Sequence, residues 1–218
     1  MTPTLPEDLL LMLFQPRSGT IAGENTLFYV LAGAVLADLG LGNHVRTAGT
    51  RVEAVPDRPP ADELLRPAWD YVAEKPRGVQ TVLAAVGPRL RGPVLDRLVE
   101  RGDIRRTRRR MLGLFNQTVL EDGGTGRRAR LVGDVRDVLV DGVEPQARTA
   151  ALAALLSGSG TLPQFHREIP WTSTVITRAK ELERGDWGAG AAAEAVTRTV
   201  TATVVNNVII AAATLPRS

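Results

Sequence analysis

Residues 191–214 read "AAAEAVTRTVTATVVNNVIIAAAT". As a helix this stretch is nearly apolar on every side and long enough to span a bilayer, so two folds compete for it. In one it crosses a membrane; in the other it runs through the middle of a helical bundle, where a helix that is hydrophobic all round also belongs. Glu194, Arg198, Asn206, Asn207 and several threonines decide between them, because such side chains are costly in hydrocarbon and a protein interior can supply them with partners. They point to a buried helix at the centre of a bundle.

The segments around it are of the kind that would wrap such a helix. "EPQARTAALAALL" (144–156) is a small-residue helix suited to close packing, and "RLVGDVRDVLVDG" (130–142) places Leu131, Val135, Val138 and Leu139 on one stripe. "TSTVITRAKELERG" (172–185) is amphipathic, with Thr or Ser to start it and Gly185 to end it. At the N-terminus, Thr4 with Pro6 and Glu7 resembles a capping box and opens a helix through Phe14. A second helix is expected over 25–39, with Leu27, Leu31, Ala34, Val35 and Leu39 on one face. "HVRTAGTRVEAV" (44–55) alternates around Ala48-Gly49 as a hairpin, and "PDRPP" (56–60) is a linker. Three short helices follow, with Pro67, Gly78 and Pro93 as breaks between or within them and Gly102 as a C-cap. Beyond Gly102 come a strand at Ile104–Arg106, a basic turn, and a second strand around Leu112–Thr118. The expected fold class is mainly α: a buried helical bundle surrounded by amphipathic helices, with one or two β-hairpins, in a single domain spanning residues 1–218.

With 218 residues, 44% of them apolar, the chain can bury a substantial core. It contains no cysteine, which removes disulfide and thiolate chemistry and suits a reducing compartment. The opening "MTPTLPEDLLLMLFQPRSG" lacks the basic start and small-residue cleavage site of a signal peptide, so a cytoplasmic location is expected.

Charge is uneven. Residues 89–130 carry twelve arginines against five acids, 12 − 5 = +7, within a chain of net charge +3. Such a cluster suggests an anionic partner, phosphate-bearing lipid or nucleic acid. Nothing comparable points to catalysis. There is no P-loop, no HExxH and no Gly-x-Ser-x-Gly elbow, and the two histidines, His44 and His166, stand alone, which favours surface or capping roles. The pairs Asp134/Asp137 and Glu181/Glu183 sit on amphipathic helices as solvated carboxylates would. No enzyme activity, cofactor or metal is expected. "RGD" (101–103) reads as a helix end rather than an adhesion signal.

In order along the chain, "LPEDLLLMLF", "AGAVLADLGLGNHV", "LDRLVERGDI" with "RRRMLGLF", and "ARTAALAALLSGSGTL" resemble the Golgi phosphoprotein 3 family over nearly the whole length. The resemblance implies a buried four-helix bundle with a hairpin on its lipid-facing side. It also implies a non-enzymatic peripheral membrane adaptor that binds phosphatidylinositol 4-phosphate, here in a bacterial member lacking the N-terminal extension of eukaryotic relatives. In the family a tryptophan and an arginine around the second helix, with two arginines before the hairpin, hold the headgroup. The tryptophan falls near Gly23 and the second-helix arginine near Ala32. Of the last two, one falls near Pro88 and the other on Arg91, with Arg89 close by as a substitute. The specific phosphoinositide is therefore in question.

On this resemblance, "RGDIRRTRRRMLGLF" (101–115) is the family's hairpin, which enters the bilayer and serves self-association. Arg89, Arg91, Arg105, Arg108, Arg109 and Arg110 would meet anionic headgroups, and Met111, Leu112, Leu114 and Phe115 would insert. The expected partner is the anionic inner face of the membrane, with protein cargo or self-association at the hairpin. Alternatively, Leu112, Leu114 and Phe115 pack under the hairpin while the arginines are simply solvated. A helix followed by a basic two-stranded wing also outlines a winged helix on nucleic acid, although "GPVLDRLVERG" has few side chains for reading base edges. An oligomeric scaffold is the third alternative.

Overall fold

The computed structural model describes residues 2–111, 115–185 and 191–214, and the side chains within them except at 109–111, 115–117, 191–194 and 208–214. Helix α1 (Leu5–Leu13) is buried at every position, Glu7 and Asp8 included. Glu7 starts it, accepting from the Thr4 N–H at 2.8 Å and the Thr4 hydroxyl at 2.7 Å, with Pro6 in the first turn where its missing N–H costs nothing. The chain then forms a short pairing of β1 (Phe14–Gln15) with β2 (Thr20–Ile21) and enters α2 (Leu27–Leu41). The expected one-sided stripe on α2 is wider than the spacing suggested: buried residues lie on most of its surface, and it packs on α1, α7 and α9.

Strands β3 (Val45–Ala48) and β4 (Arg51–Ala54) form the expected hairpin about Gly49, whose φ of +64° suits a turn that needs the left-handed region. A third strand, β5 (Arg77–Gly78), joins β4; two residues are too few to leave an alternation signal. Pro67, Gly78 and Pro93 stand at helix starts, so the expected breaks fall between the helices and not within them. Pro67 lies in the first turn of α3 (Arg66–Ala73), Gly78 caps α4 (Val79–Val86), and Pro93 lies in the first turn of α5 (Arg91–Glu100), after a 3-10 turn at Gly87–Arg89.

Gly102, at φ +74°, ends α5 as expected. The basic turn does not follow. β6 (Ile104–Met111) and β7 (Phe115–Asp122) pair in register from Ile104↔Asp122 to Met111↔Phe115, so Arg105, Arg106 and Arg108–Arg110 belong to a strand. The extended pairing absorbs them because alternate residues of a two-stranded ribbon can all reach solvent. The remainder is α6 (Arg127–Leu139), α7 (Ala147–Gly158), a 3-10 turn at Leu162–Phe165, α8 (Ser173–Arg184) and α9 (Ala191–Thr214). Thr172 caps α8 by accepting from the Val175 N–H, and Gly185 ends it at φ +84°.

The decisive stretch forms α9 and lies on α2, α7, α8, β3 and α4. Glycines let it approach closely. A Cβ at Gly33 would come 2.9 Å from Val204, one at Gly40 2.9 Å from Val196, and one at Gly158 3.2 Å from Thr201. Val196, Val200, Val204 and Asn207 are buried at helical spacing, whereas Arg198, Ala202 and Asn206 are exposed. α9 is therefore one wall of the bundle rather than its axis; the more enclosed positions belong to α1 and α2. Among the described residues, no helix is long and apolar enough to cross a membrane. The fold is mainly α, with small antiparallel sheets.

Candidate functional site

The arginine cluster divides into two populations once its partners are placed. The first is structural. Arg101 donates to Glu7 at 2.6 Å, Arg97 to Asp62 at 2.8 Å, and Arg127 bonds both Asp8 and Asp103. Arg148 donates to Asp8 at 2.6 Å and lies 3.4 Å from Asp38, whose other oxygen takes the Leu5 N–H at 2.6 Å. Glu7, Asp8 and Asp103 are almost fully buried, so each needs these cations. Arg128 donates to the Phe14 carbonyl at 2.8 Å with its guanidinium over the Phe165 ring, and burial lowers its pKa.

These contacts set opposite protonation tendencies. Burial alone would raise the pKa of Glu7, but the Thr4 hydrogen bonds and Arg101 outweigh it and hold the group below its ordinary value. Asp62 is likewise lowered: burial opposes, and hydrogen bonds from Arg97 and the Leu64 N–H prevail. At Asp38 burial wins over Leu5 and Arg148, and the carboxyl is raised.

The second population faces solvent. Arg89 ends the 3-10 turn, exposed and without an ion-pair partner among the described residues. Arg91 opens α5, also exposed, but its Nε lies 2.5 Å from Glu24. On β6, Arg105 is exposed and donates only to the Asp122 carbonyl, at 3.1 and 3.3 Å, and Arg108 is exposed with no ion pair among the described residues. Arg109 and Arg110 pair through their backbones with Gln117 and Asn116, and Met111 with Phe115. The side chains of those four, and all of Leu112 and Leu114, lie outside the described set. Arg106 pairs with Asp96 at 2.7 Å, in the middle of α5, so the start of β6 lies back along α5 toward the end that carries Arg91.

Arg89 and Arg91 do not share a hollow. Arg91, Glu24, Leu27, Phe28 and Pro88 line one of about 320 Å³, whereas Arg89 lines another of about 650 Å³ walled by α3, α4 and α5. Ala32 is buried at 1% exposure, and Gly23 adopts φ +68° beside Thr161, where a side chain would clash at 2.8 Å. Glu24 was not anticipated from sequence, since it is 67 residues from Arg91 and nothing local signals the pairing.

His44 Nδ1 lies 2.8 Å from the Arg58 carbonyl and His166 is exposed at the end of the second 3-10 turn. Asp103 of the "RGD" run is buried against Arg127 and Thr125. Among the described residues no cluster of three or more His, Cys, Asp or Glu is arranged to hold a metal ion.

A comparison with curated proteins finds no match. The family model for Golgi phosphoprotein 3 (GPP34) matches residues 5–199, which includes α1 through α8, both hairpins and the first part of α9. With that span matched, the chain belongs to the Golgi phosphoprotein 3 family.

Proposed function

We propose that the protein is a non-enzymatic peripheral membrane protein that binds anionic phospholipid surfaces, at the inner face of the membrane, through the β6–β7 hairpin and the start of α5. The observation that carries this is selective pairing. Arg127 of α6 and Arg97 and Arg101 of α5 are taken up by buried or half-buried acids, while Arg89, Arg105 and Arg108, like Arg130 on α6, are exposed and without a carboxylate partner among the described residues. Exposed guanidinium groups beside a ribbon that ends in Met-Leu-Gly-Leu-Phe combine electrostatic attraction with apolar area, the two signals that durable anchoring needs.

Selective recognition of phosphatidylinositol 4-phosphate is not part of the proposal. Glu24 already satisfies Arg91, Ala32 lies in the core, and an enclosed bidentate phosphate site needs more than one cation. The winged-helix alternative is weakly supported, because α5 buries Val94, Leu95 and Leu98 and commits Arg97 and Arg101 to acids, leaving little of it to enter a groove.

Sedimentation with phosphatidylcholine vesicles of graded phosphatidylglycerol content tests the proposal. Binding should grow with anionic content and fall as salt rises from about 0.05 to 0.5 M, because screening shortens the reach of exposed charge. Equal binding to neutral and anionic vesicles, or tighter binding to duplex DNA at the same salt, would overturn it.

A further inference from the structure

The hollow beside Arg89 lies apart from the hairpin, and its chemistry differs from that of a membrane-facing plane. At about 650 Å³ it is within the range of small-molecule sites. Its walls are Leu64, Pro67, Tyr71, Val86, Leu90 and Pro93, contributed by α3, α4, α5 and the segment before α3. Leu64 and Leu90 are buried at its floor, and Tyr71 is held from one side by the Arg77 guanidinium, 3.8 Å from the ring centroid. Such a trough suits an aliphatic chain.

The polar side chains at the walls are Glu63, Arg89, Arg97 and the hydroxyl of Tyr71. Arg89 has no hydrogen-bond partner among the described residues, which leaves its five guanidinium N–H donors unused by them. Arg97 directs Nη1 to Asp62 at 2.8 Å, and its Nε and Nη2 have no acceptor among the described residues. Asp62 and, at 3.7 Å, Glu7 already offset the charge of Arg97, so Arg89 is the lining cation without a carboxylate partner among the described residues, and the side-chain acceptors in the lining are the exposed Glu63 carboxylate and the Tyr71 hydroxyl. Donors are in excess, so an occupant that completes the site brings acceptors and negative charge at one end and apolar bulk at the other.

We infer that this cavity binds a single-chain aliphatic carboxylate, with its chain between Tyr71, Val86 and Leu90 and its head at Arg89. The inference shares Arg89 with the membrane proposal but concerns a soluble monomeric ligand held between α3, α4 and α5, away from the hairpin. Glu63 repels such a head and limits its affinity.

Titration calorimetry with dodecanoate below its micelle concentration tests this, with dodecanol as the uncharged counterpart. Saturable binding of one dodecanoate per chain is expected, weakened about tenfold by Arg89→Gln and strengthened by Glu63→Gln. Ala85→Trp, which fills the trough from an exposed position on its rim, should abolish dodecanoate binding while leaving vesicle sedimentation and the melting temperature unchanged. That pattern separates this site from the hairpin's. Absence of saturable binding, equal affinity for dodecanol, or weakening by Glu63→Gln would overturn the inference; the last would indicate a cationic or peptide occupant. So would undiminished binding by a folded Ala85→Trp variant.

Discussion

Replacing Glu24 by Gln asks whether the start of α5 faces the membrane. In the folded protein Glu24 accepts from Arg91 at 2.5 Å and 3.4 Å, with the two side chains 49% and 48% exposed. A pair so open to water contributes at most about 1 kcal/mol to folding, so Glu24→Gln should melt within a few degrees of the parent. Its effect on binding is larger if Arg91 lies near an anionic surface. A freed guanidinium gains about 1 kcal/mol there, and losing the carboxylate removes a repulsion of similar size, which together come to about 2 kcal/mol or about thirtyfold. Sedimentation with phosphatidylglycerol-containing vesicles at about 0.05 M salt reads this directly, and the gain should shrink as salt rises. The double variant Glu24→Gln/Arg91→Gln should return close to the parent. If Glu24→Gln folds normally and binds no tighter, Arg91 is remote from the bilayer, and the start of α5 must be removed from the binding face.

The buried acids give a stability prediction. Arg127→Met leaves Asp103 with only Thr125 among its described side-chain partners and Asp8 with Arg148 alone, and stranding such groups should cost about 3 kcal/mol, or roughly a 10 °C fall in melting temperature. Acid should act through the lowered carboxyls. Glu7 and Asp62 titrate below their ordinary values, so their stabilisation is complete above those values and is lost as pH falls through the lowered ones. Asp38, raised by burial, acts in the opposite sense: its contribution is lost as pH rises through the raised value. Urea unfolding at about pH 6 and pH 3 should therefore show a net loss in acid that Glu7→Gln reduces and Asp38→Asn enlarges; an unchanged loss in both variants would refute the assignment. In the hairpin, Arg108, Arg109 and Arg110 changed together to Ser should weaken vesicle binding chiefly at low salt. Leu114→Ser/Phe115→Ser should weaken it at every salt concentration, and if that variant instead loses thermal stability while its folded fraction binds normally, those residues belong to the core.

The helices were legible because their signals are local: Thr4 with Glu7, Thr172, Gly102 and Gly185 are capping features confined to one turn. α9 was legible as buried but not as a wall. Its exposed stripe, Arg198, Ala202 and Asn206, includes a small apolar residue that hydropathy cannot tell from a core position, and its packing depends on Gly33, Gly40 and Gly158 of other helices. α1 shows the reverse. Glu7 and Asp8 suggest a solvated side, yet both are buried because Arg101, Arg127 and Arg148 arrive from 94, 119 and 140 residues away. The strand extent of β6 was missed because alternation between core and solvent disappears when most of a strand's positions are arginine.

The same long-range pairing changes what the basic cluster can do. The +7 counted over residues 89–130 is met by Glu7, Asp8, Glu24 and Asp62 from outside that window, and Arg148, also from outside, shares Asp8, leaving about 7 − 4 + 1 = +4. Arg89, Arg105, Arg108 and Arg130 are the exposed, carboxylate-free remainder among the described side chains, and the three on the proposed binding face, Arg89, Arg105 and Arg108, at about 1 kcal/mol each supply about 3 kcal/mol of surface attraction. A millimolar dissociation constant already corresponds to about 4 kcal/mol, so this charge alone would not hold the protein on a membrane. The shortfall must come from apolar insertion at the end of the hairpin, from Arg109 and Arg110, or from a second copy of the chain that doubles the contact. The hairpin variants separate these sources. If the Leu114/Phe115 variant remains folded and keeps most of its binding at high salt, neither insertion nor surface charge is holding it, and a multivalent scaffold becomes the better account of the same fold.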